Sequence, residues 1–184
     1  MRHEYLLIPG LLLLLIWSAA VWDLRTHKVP NVLVMAGAAT GILLQGVLAG
    51  SGGVLATISG LAVGLVILLP GYLLGFTGAG DVKLMAAVGT FLGPYHVFIA
   101  ALVSIFIGGV IALGFAASAL FSKDSISPWA RYGLMVKTLV TTGRPLYVAP
   151  AEGEVMGKKF PFAVSIALGT TGVLVWPWWS GMLT

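Results

Sequence analysis

Two acidic residues stand where a carboxylate is costly to keep. Asp23 follows an uncharged run from Tyr5 to Trp22, in the segment Trp22-Asp23-Leu24-Arg25-Thr26-His27-Lys28-Val29-Pro30-Asn31. Asp81 ends a glycine-rich turn, Gly78-Ala79-Gly80-Asp81, with Lys83 two residues on. A carboxylate at the edge of an apolar span tends to pair, to face a water-filled cavity or to take up a proton. Two of them held close together share a proton, because like charges a few ångströms apart cannot both ionise easily. The ionised one can then take a proton from water while the protonated one donates to the carbonyl oxygen of a peptide. That is aspartic peptidase chemistry, and it requires neither metal nor thiol. Gly78 and Gly80 allow positive φ and leave no side chain in the way, so an extended peptide can approach Asp81.

Each residue also has a plainer reading. Asp81 suits a helix N-cap, and Asp23 could mark the end of a span beside Arg25. Lys83 either tunes Asp81 and orients substrate, or anchors the topology as a basic loop residue. His27 and His96 read as interfacial or buried polar residues, since neither has a carboxylate at helical spacing. In a chain with 25 glycines, a bare Gly-x-Gly-Asp is an unspecific pattern.

Composition decides what can surround these residues. Of 184 residues, 10 are Lys or Arg and 6 are Asp or Glu, so 9% are charged while 59% are apolar. Ordinary soluble domains carry roughly 25% charged residues, and a soluble fold of this length could not hide so much apolar surface. A soluble enzyme, a disordered chain and a nucleic-acid binder are excluded on that ground. The formal charge of +4 is scattered between apolar runs, as loop charges on a membrane protein are. There is no cysteine and only 3 His, which points away from disulfides, thiolate sites and zinc. Neither a metal nor a cofactor is expected.

The gaps between charges place the elements. Tyr5 to Trp22 is one span. Val29 to Gly80 is two, joined around Gly50-Ser51-Gly52-Gly53; Leu84 to Ser122 is two, with a break at Gly93-Pro94; Phe160 to Thr184 holds the last. The sequence therefore predicts an all-α polytopic membrane protein with about six transmembrane helices, in one domain over 1–184. Its fourth helix, between Asp81 and Gly93, is short. With the N-terminus outside, the loops at roughly 23–30, 77–83 and 122–159 are cytoplasmic. They hold Arg25, Lys28, Lys83, Lys123, Arg131, Lys137, Arg144, Lys158 and Lys159, leaving only Arg2 opposite. Trp176, Trp178 and Trp179 fall at the other interface. The N-terminal segment is read as a retained helix rather than a cleaved signal, because Glu4 offsets Arg2. Within 122–159, Trp129–Val140 either lies on the membrane surface or connects loosely, and Glu152 and Glu154 either attract a basic peptide or are merely solvated.

Phe76-Thr77-Gly78-Ala79-Gly80-Asp81-Val82-Lys83-Leu84 resembles the signature of the type IV prepilin peptidases, membrane aspartic proteases of the Gly-x-Gly-Asp type. The segment from Asp23 to Val29-Pro30-Asn31 is similar to that family's other motif, and Lys159-Phe160-Pro161-Phe162-Ala163 to its entry into the final helix. The resemblance implies that Asp23 and Asp81 are the catalytic pair, with Gly78, Gly80, Lys83, Pro30 and Asn31 binding substrate or supporting it. It implies prepilin or pseudopilin substrates, cleaved after a basic leader ending in Gly at the cytoplasmic face of a bacterial inner membrane. Pilus or type II secretion assembly proteins would be further partners, with membrane lipids and no nucleic acid. Larger members carry an N-terminal domain with paired Cys-x-x-Cys motifs that accompanies methylation. Without cysteine, the chain resembles the short peptidase-only branch serving Flp/Tad-type pili, and no methyltransferase activity is expected.

Three other readings remain at this level. A small proton- or cation-coupled transporter would use the same aspartates, although no internal repeat or midplane charge favours it. Presenilin-type proteases share only the Gly-x-Gly-Asp and pair it with a Tyr-Asp motif, whereas here Asp23 follows Trp22. A non-catalytic scaffold would tolerate loss of both aspartates.

Overall fold

A computed structural model describes residues 4–74, 77–121, 137, 141 and 161–182. Four helices account for nearly all of them: α1 (Glu4–Thr26), α2 (Asn31–Leu73), α3 (Ala79–Phe121) and α4 (Phe162–Met182). Among the described residues there is no strand. Three stretches are long and apolar enough to cross a membrane, Leu7–Thr26, Asn31–Leu73 and Ala79–Gly114, and Phe162–Val175 is a shorter apolar helix. Their outward surface is apolar too: Leu14, Val47, Leu55 and Phe106 are all largely exposed. Water would penalise such a surface and lipid does not.

Both long helices are interrupted once. At 43 residues each, α2 and α3 are about twice the length that crosses a bilayer. In α2 the break is Gly50 (φ 60°, ψ −143°), and in α3 it is Gly93 (φ 73°, ψ 177°), followed by Pro94. Only glycine adopts those dihedrals without strain, so the break points expected from the sequence coincide with the observed ones. At Gly50 the chain doubles back, because a Cβ on Gly53 would strike the carbonyl of Gln45 and one on Gly46 would touch Val54.

The chain divides into two compact units, Met1–Gly108 with Pro161–Thr184, and Gly109–Phe160. The first is held by close backbone approach. Gly60 lies against the backbone of Gly89, and Gly64 against that of Met85, which sets 51–73 antiparallel to 79–92. Gly41 faces Thr90 and Phe91 while Asn31 meets Lys83, so 31–49 runs parallel to 79–92. Ser104 against Gly169 and Phe162 against Gly108 bring α4 onto the second stretch of α3 in antiparallel sense. Helix α1 packs along α4 and α2, with Leu15 against Gly37, and its Leu12, Ile16, Ala19 and Ala20 are fully or almost fully buried. Small residues at helix crossings are the usual means of tight packing in lipid, where hydrophobicity gives no drive between helices.

The break at Gly93 frees backbone groups. In an unbroken helix the Phe91 carbonyl would accept from residue 95 and that of Thr90 from residue 94, but Pro94 has no N–H. The Gln45 amide answers one of these losses, donating from Nε2 to the Phe91 carbonyl at 3.0 Å. The stretch 79–92 is roughly 21 Å long at 1.5 Å per residue, short of the ~30 Å hydrocarbon layer. The hairpin beside it continues past Gln45 to Gly50, roughly 7 Å further. A short helix that stops among longer ones needs a polar neighbour at its end, and Gln45 is that neighbour.

Replacing Gln45 by Leu leaves the Phe91 carbonyl buried without a donor. The expected loss is about 1–2 kcal/mol of stability, read as an earlier midpoint when SDS is titrated into the protein in mild detergent; an unchanged midpoint would show the bond to be idle.

Candidate active site

Asp23 sits in the last turn of α1, and the fold ends the helix around it. The N–H of His27 donates to the Asp23 carbonyl at 2.7 Å, and His27 has φ 52°. This is the left-handed helix stop, with His27 in the position usually held by glycine; histidine is among the side chains that tolerate it. The carboxylate itself is only 7% exposed, whereas Trp22, Leu24 and Arg25 beside it are exposed. Its Oδ2 accepts from the backbone N–H of Ala163 at 3.4 Å, in the first turn of α4. The first N–H groups of a helix have no partner within it, and they carry the positive end of the helix dipole. An anion at that point satisfies both. Asp23 is therefore a core group tied to α4 and no mere boundary beside Arg25.

Asp81 is 8% exposed and is also held by a helix start. The Gly78 carbonyl accepts from the N–H of Val82 at 3.3 Å, which makes Gly78 the N-cap of α3 and puts Asp81 at the third helical position. From there the Asp81 Oδ2 reaches back to the Gly78 N–H at 2.9 Å, the reciprocal half of a capping box. The plain N-cap reading of Asp81 is thus corrected by three positions, because the helix begins at Ala79 and its N-cap is Gly78.

Among the described glycines only Gly50 and Gly93 have positive φ; Gly78 and Gly80 do not. Gly80 is small for another reason: a Cβ there would lie 3.2 Å from the Val29 Cβ. Its missing side chain admits the Val29-Pro30-Asn31 segment. Gly78 is exposed, and a Cβ there would come within 3.1 Å of the Asp81 Oδ2.

The two motifs, distant in sequence, are consequently packed on one another. Val29 meets Gly80, and the Lys83 ammonium donates to the Asn31 Oδ1 at 3.1 Å. Pro30 stands immediately before α2 in extended conformation (φ −64°, ψ 128°), a start that its fixed φ suits. The carboxylates of Asp23 and Asp81 are near enough that the charge of one acts on the other, and His27 is within electrostatic reach of Asp23. His96 is placed elsewhere, edge-on to Tyr95 with ring centroids 5.3 Å apart. Among the described residues, no group of three or more His, Cys, Asp or Glu could hold a metal ion.

The profile of the Type IV leader peptidase family matches residues 10–113, more than half of the chain, including both aspartates and both motifs. The chain belongs to the type IV leader peptidase family. It is accordingly a membrane protein of a peptidase family. No curated protein and no solved structure matches it. The expected roles of the loop 122–159, Glu152 and Glu154 included, concern residues outside the described ones apart from 137 and 141, as do the side chains of Trp176, Trp178 and Trp179.

Two site features carry no chemical signal in the sequence. The Ala163 N–H is a backbone group, marked only by the preceding Pro161, whose carbonyl accepts from Val164 at 3.2 Å and so caps α4. The Val29–Gly80 contact needs the parallel packing of α2 on α3 to be seen.

If Gly80 is small to admit Val29, a Gly80→Ala variant should lose activity and Gly80→Ala/Val29→Gly, which removes the Cβ that would be struck, should recover a large part of it. Turnover of a leader peptide by each variant decides the matter; no rescue by Val29→Gly would assign Gly80 to substrate instead.

Proposed function

We propose that the protein is an aspartic endopeptidase that removes the basic leader of prepilins or pseudopilins, with Asp23 and Asp81 as the catalytic pair. The observation that carries this reading is the pairing itself. Two buried carboxylates, 58 positions apart in sequence, belong to motifs that pack on one another through Val29–Gly80 and Lys83–Asn31, inside the segment that matches a leader peptidase family. Each has one oxygen bonded to the amide of a helix start, which leaves the other oxygen for chemistry.

In the reaction, one aspartate is ionised and the other protonated. The ionised carboxylate takes a proton from water as the water oxygen attacks the carbonyl carbon after the leader's terminal Gly. The protonated carboxylic acid donates its proton to the carbonyl oxygen, giving a neutral tetrahedral diol. Collapse of the diol breaks the C–N bond and returns one proton to the leaving amine and another to the pair. The leader departs as a carboxylic acid, and the mature pilin begins with a free amine. No metal ion enters any step.

For the topology we infer six crossings, with α2 and α3 each contributing two on either side of Gly50 and Gly93. Both termini then lie outside and nine of the ten basic residues face the cytoplasm, where a positively charged leader is retained. Asp23 and Asp81 fall at that same face of a bacterial inner membrane. Peptidase activity without methyl transfer is the activity proposed.

Substitution by Asn keeps the size of each carboxyl group and removes its proton exchange. Asp23→Asn and Asp81→Asn should each lower kcat/KM by about 10³-fold or more on a peptide with a basic leader ending in Gly ahead of an apolar helix, in micelles, with unchanged helical circular dichroism. Efficient cleavage by either variant would remove the pair from the mechanism. Proton or cation uptake in proteoliposomes without peptide cleavage would favour transport.

A further inference from the structure

The contact between Lys83 and Asn31 has no part in the chemistry above, yet its position is particular. Asn31 is the first residue of α2, reached from Asp23 by the tight turn through His27 and Pro30. Lys83 lies two residues beyond Asp81 in the first turns of α3. The hydrogen bond between them, at 3.1 Å, joins α3, which bears Asp81, to the first residue of α2, eight positions after Asp23. The ammonium bonds no carboxylate among the described residues, so its charge is not spent on Asp81.

At the ends of α2 and α3 that lie by Asp81, Val29 rests on Gly80 in a van der Waals contact, which has no direction of its own. A second, directional contact three positions along fixes their rotation. Since Asp81 lies between Gly80 and Lys83, the two contacts bracket it. Both Lys83 and Asn31 are exposed, and an exposed polar pair contributes little to folding. Its value is in geometry, because a misplacement of about 1 Å can cost 10²-fold in rate.

We propose that Lys83 is a positioning residue: its ammonium clamps Asn31 so that the α1–α2 turn bearing Asp23 is held in register with the first turn of α3 bearing Asp81. This rests on the Asp23/Asp81 reading of the site. The clamp acts on the separation of the two aspartates and leaves substrate binding alone. Arginine can replace lysine in it, methionine cannot, and loss of Asn31 makes Lys83 dispensable.

The test uses the full chain in detergent micelles and the same leader peptide. Lys83→Met and Asn31→Ala should each lower kcat by about tenfold or more with KM within twofold. The double variant should be no worse than the poorer single one, as two halves of one contact are. Lys83→Arg should retain most of the activity.

Additive losses, or a rise in KM alone, would overturn the clamp and assign Lys83 to substrate. Full activity of Lys83→Met would overturn it as well. Failure of the aspartate reading looks different: Asp23→Asn and Asp81→Asn would then still cleave, whereas failure of the clamp alone leaves both of those variants inactive.

Discussion

In hydrocarbon a backbone N–H or C=O has no water to turn to, so each must be answered from within the protein. A continuous helix does this for its interior and leaves its ends exposed. The first unit of this protein is organised by how those ends are answered. Where α3 breaks at Gly93-Pro94, the Gln45 amide reaches across from α2 to the Phe91 carbonyl. Where α3 begins, the Asp81 carboxylate accepts the Gly78 N–H, and where α4 begins, the Asp23 carboxylate accepts the Ala163 N–H. The same requirement that stabilises the helix ends also fixes both carboxylates.

That coupling bears on what an aspartic pair needs. A buried carboxylate without hydrogen bonds is expensive to desolvate, and one fully enclosed by donors is too well satisfied to exchange a proton. Here, among the described residues, each aspartate has one oxygen bonded to a backbone amide. Backbone donors on helices move less than side chains do, so the orientation of each carboxylate is inherited from the helix carrying the amide. On the proposed reading, the geometry of the pair thereby depends on α4, which lies outside the segment matching the family profile.

Close packing sets the remaining positions. Glycine against backbone at Gly60 and Gly89, and at Gly64 and Met85, leaves no room for sliding between 51–73 and 79–92. Gly80 against Val29 extends the same principle to the site. The short stretch 79–92 is wedged between the longer arms of the α2 hairpin, parallel to one and antiparallel to the other. Asp81 is in consequence carried at a depth set by its neighbours and not by its own hydrophobic length.

The sequence alone determined the membrane class, the break points and the two aspartates. Scarcity of charge, glycines at φ-permissive breaks and a carboxylate at the end of an apolar run are local properties, legible in the order of residues. The function class was legible through two motifs that resemble one family. The tertiary structure decided which backbone amides hold the carboxylates, that Asp81 is the third residue of its helix, and that Gly80 is small for Val29. It also decided that Lys83 faces Asn31. These depend on the parallel and antiparallel packing of helices distant in sequence, and on N–H groups that every residue but proline possesses. Nothing in residue type distinguishes the Ala163 amide from another; only its place at the start of α4, beside the last turn of α1, gives it a carboxylate to hold.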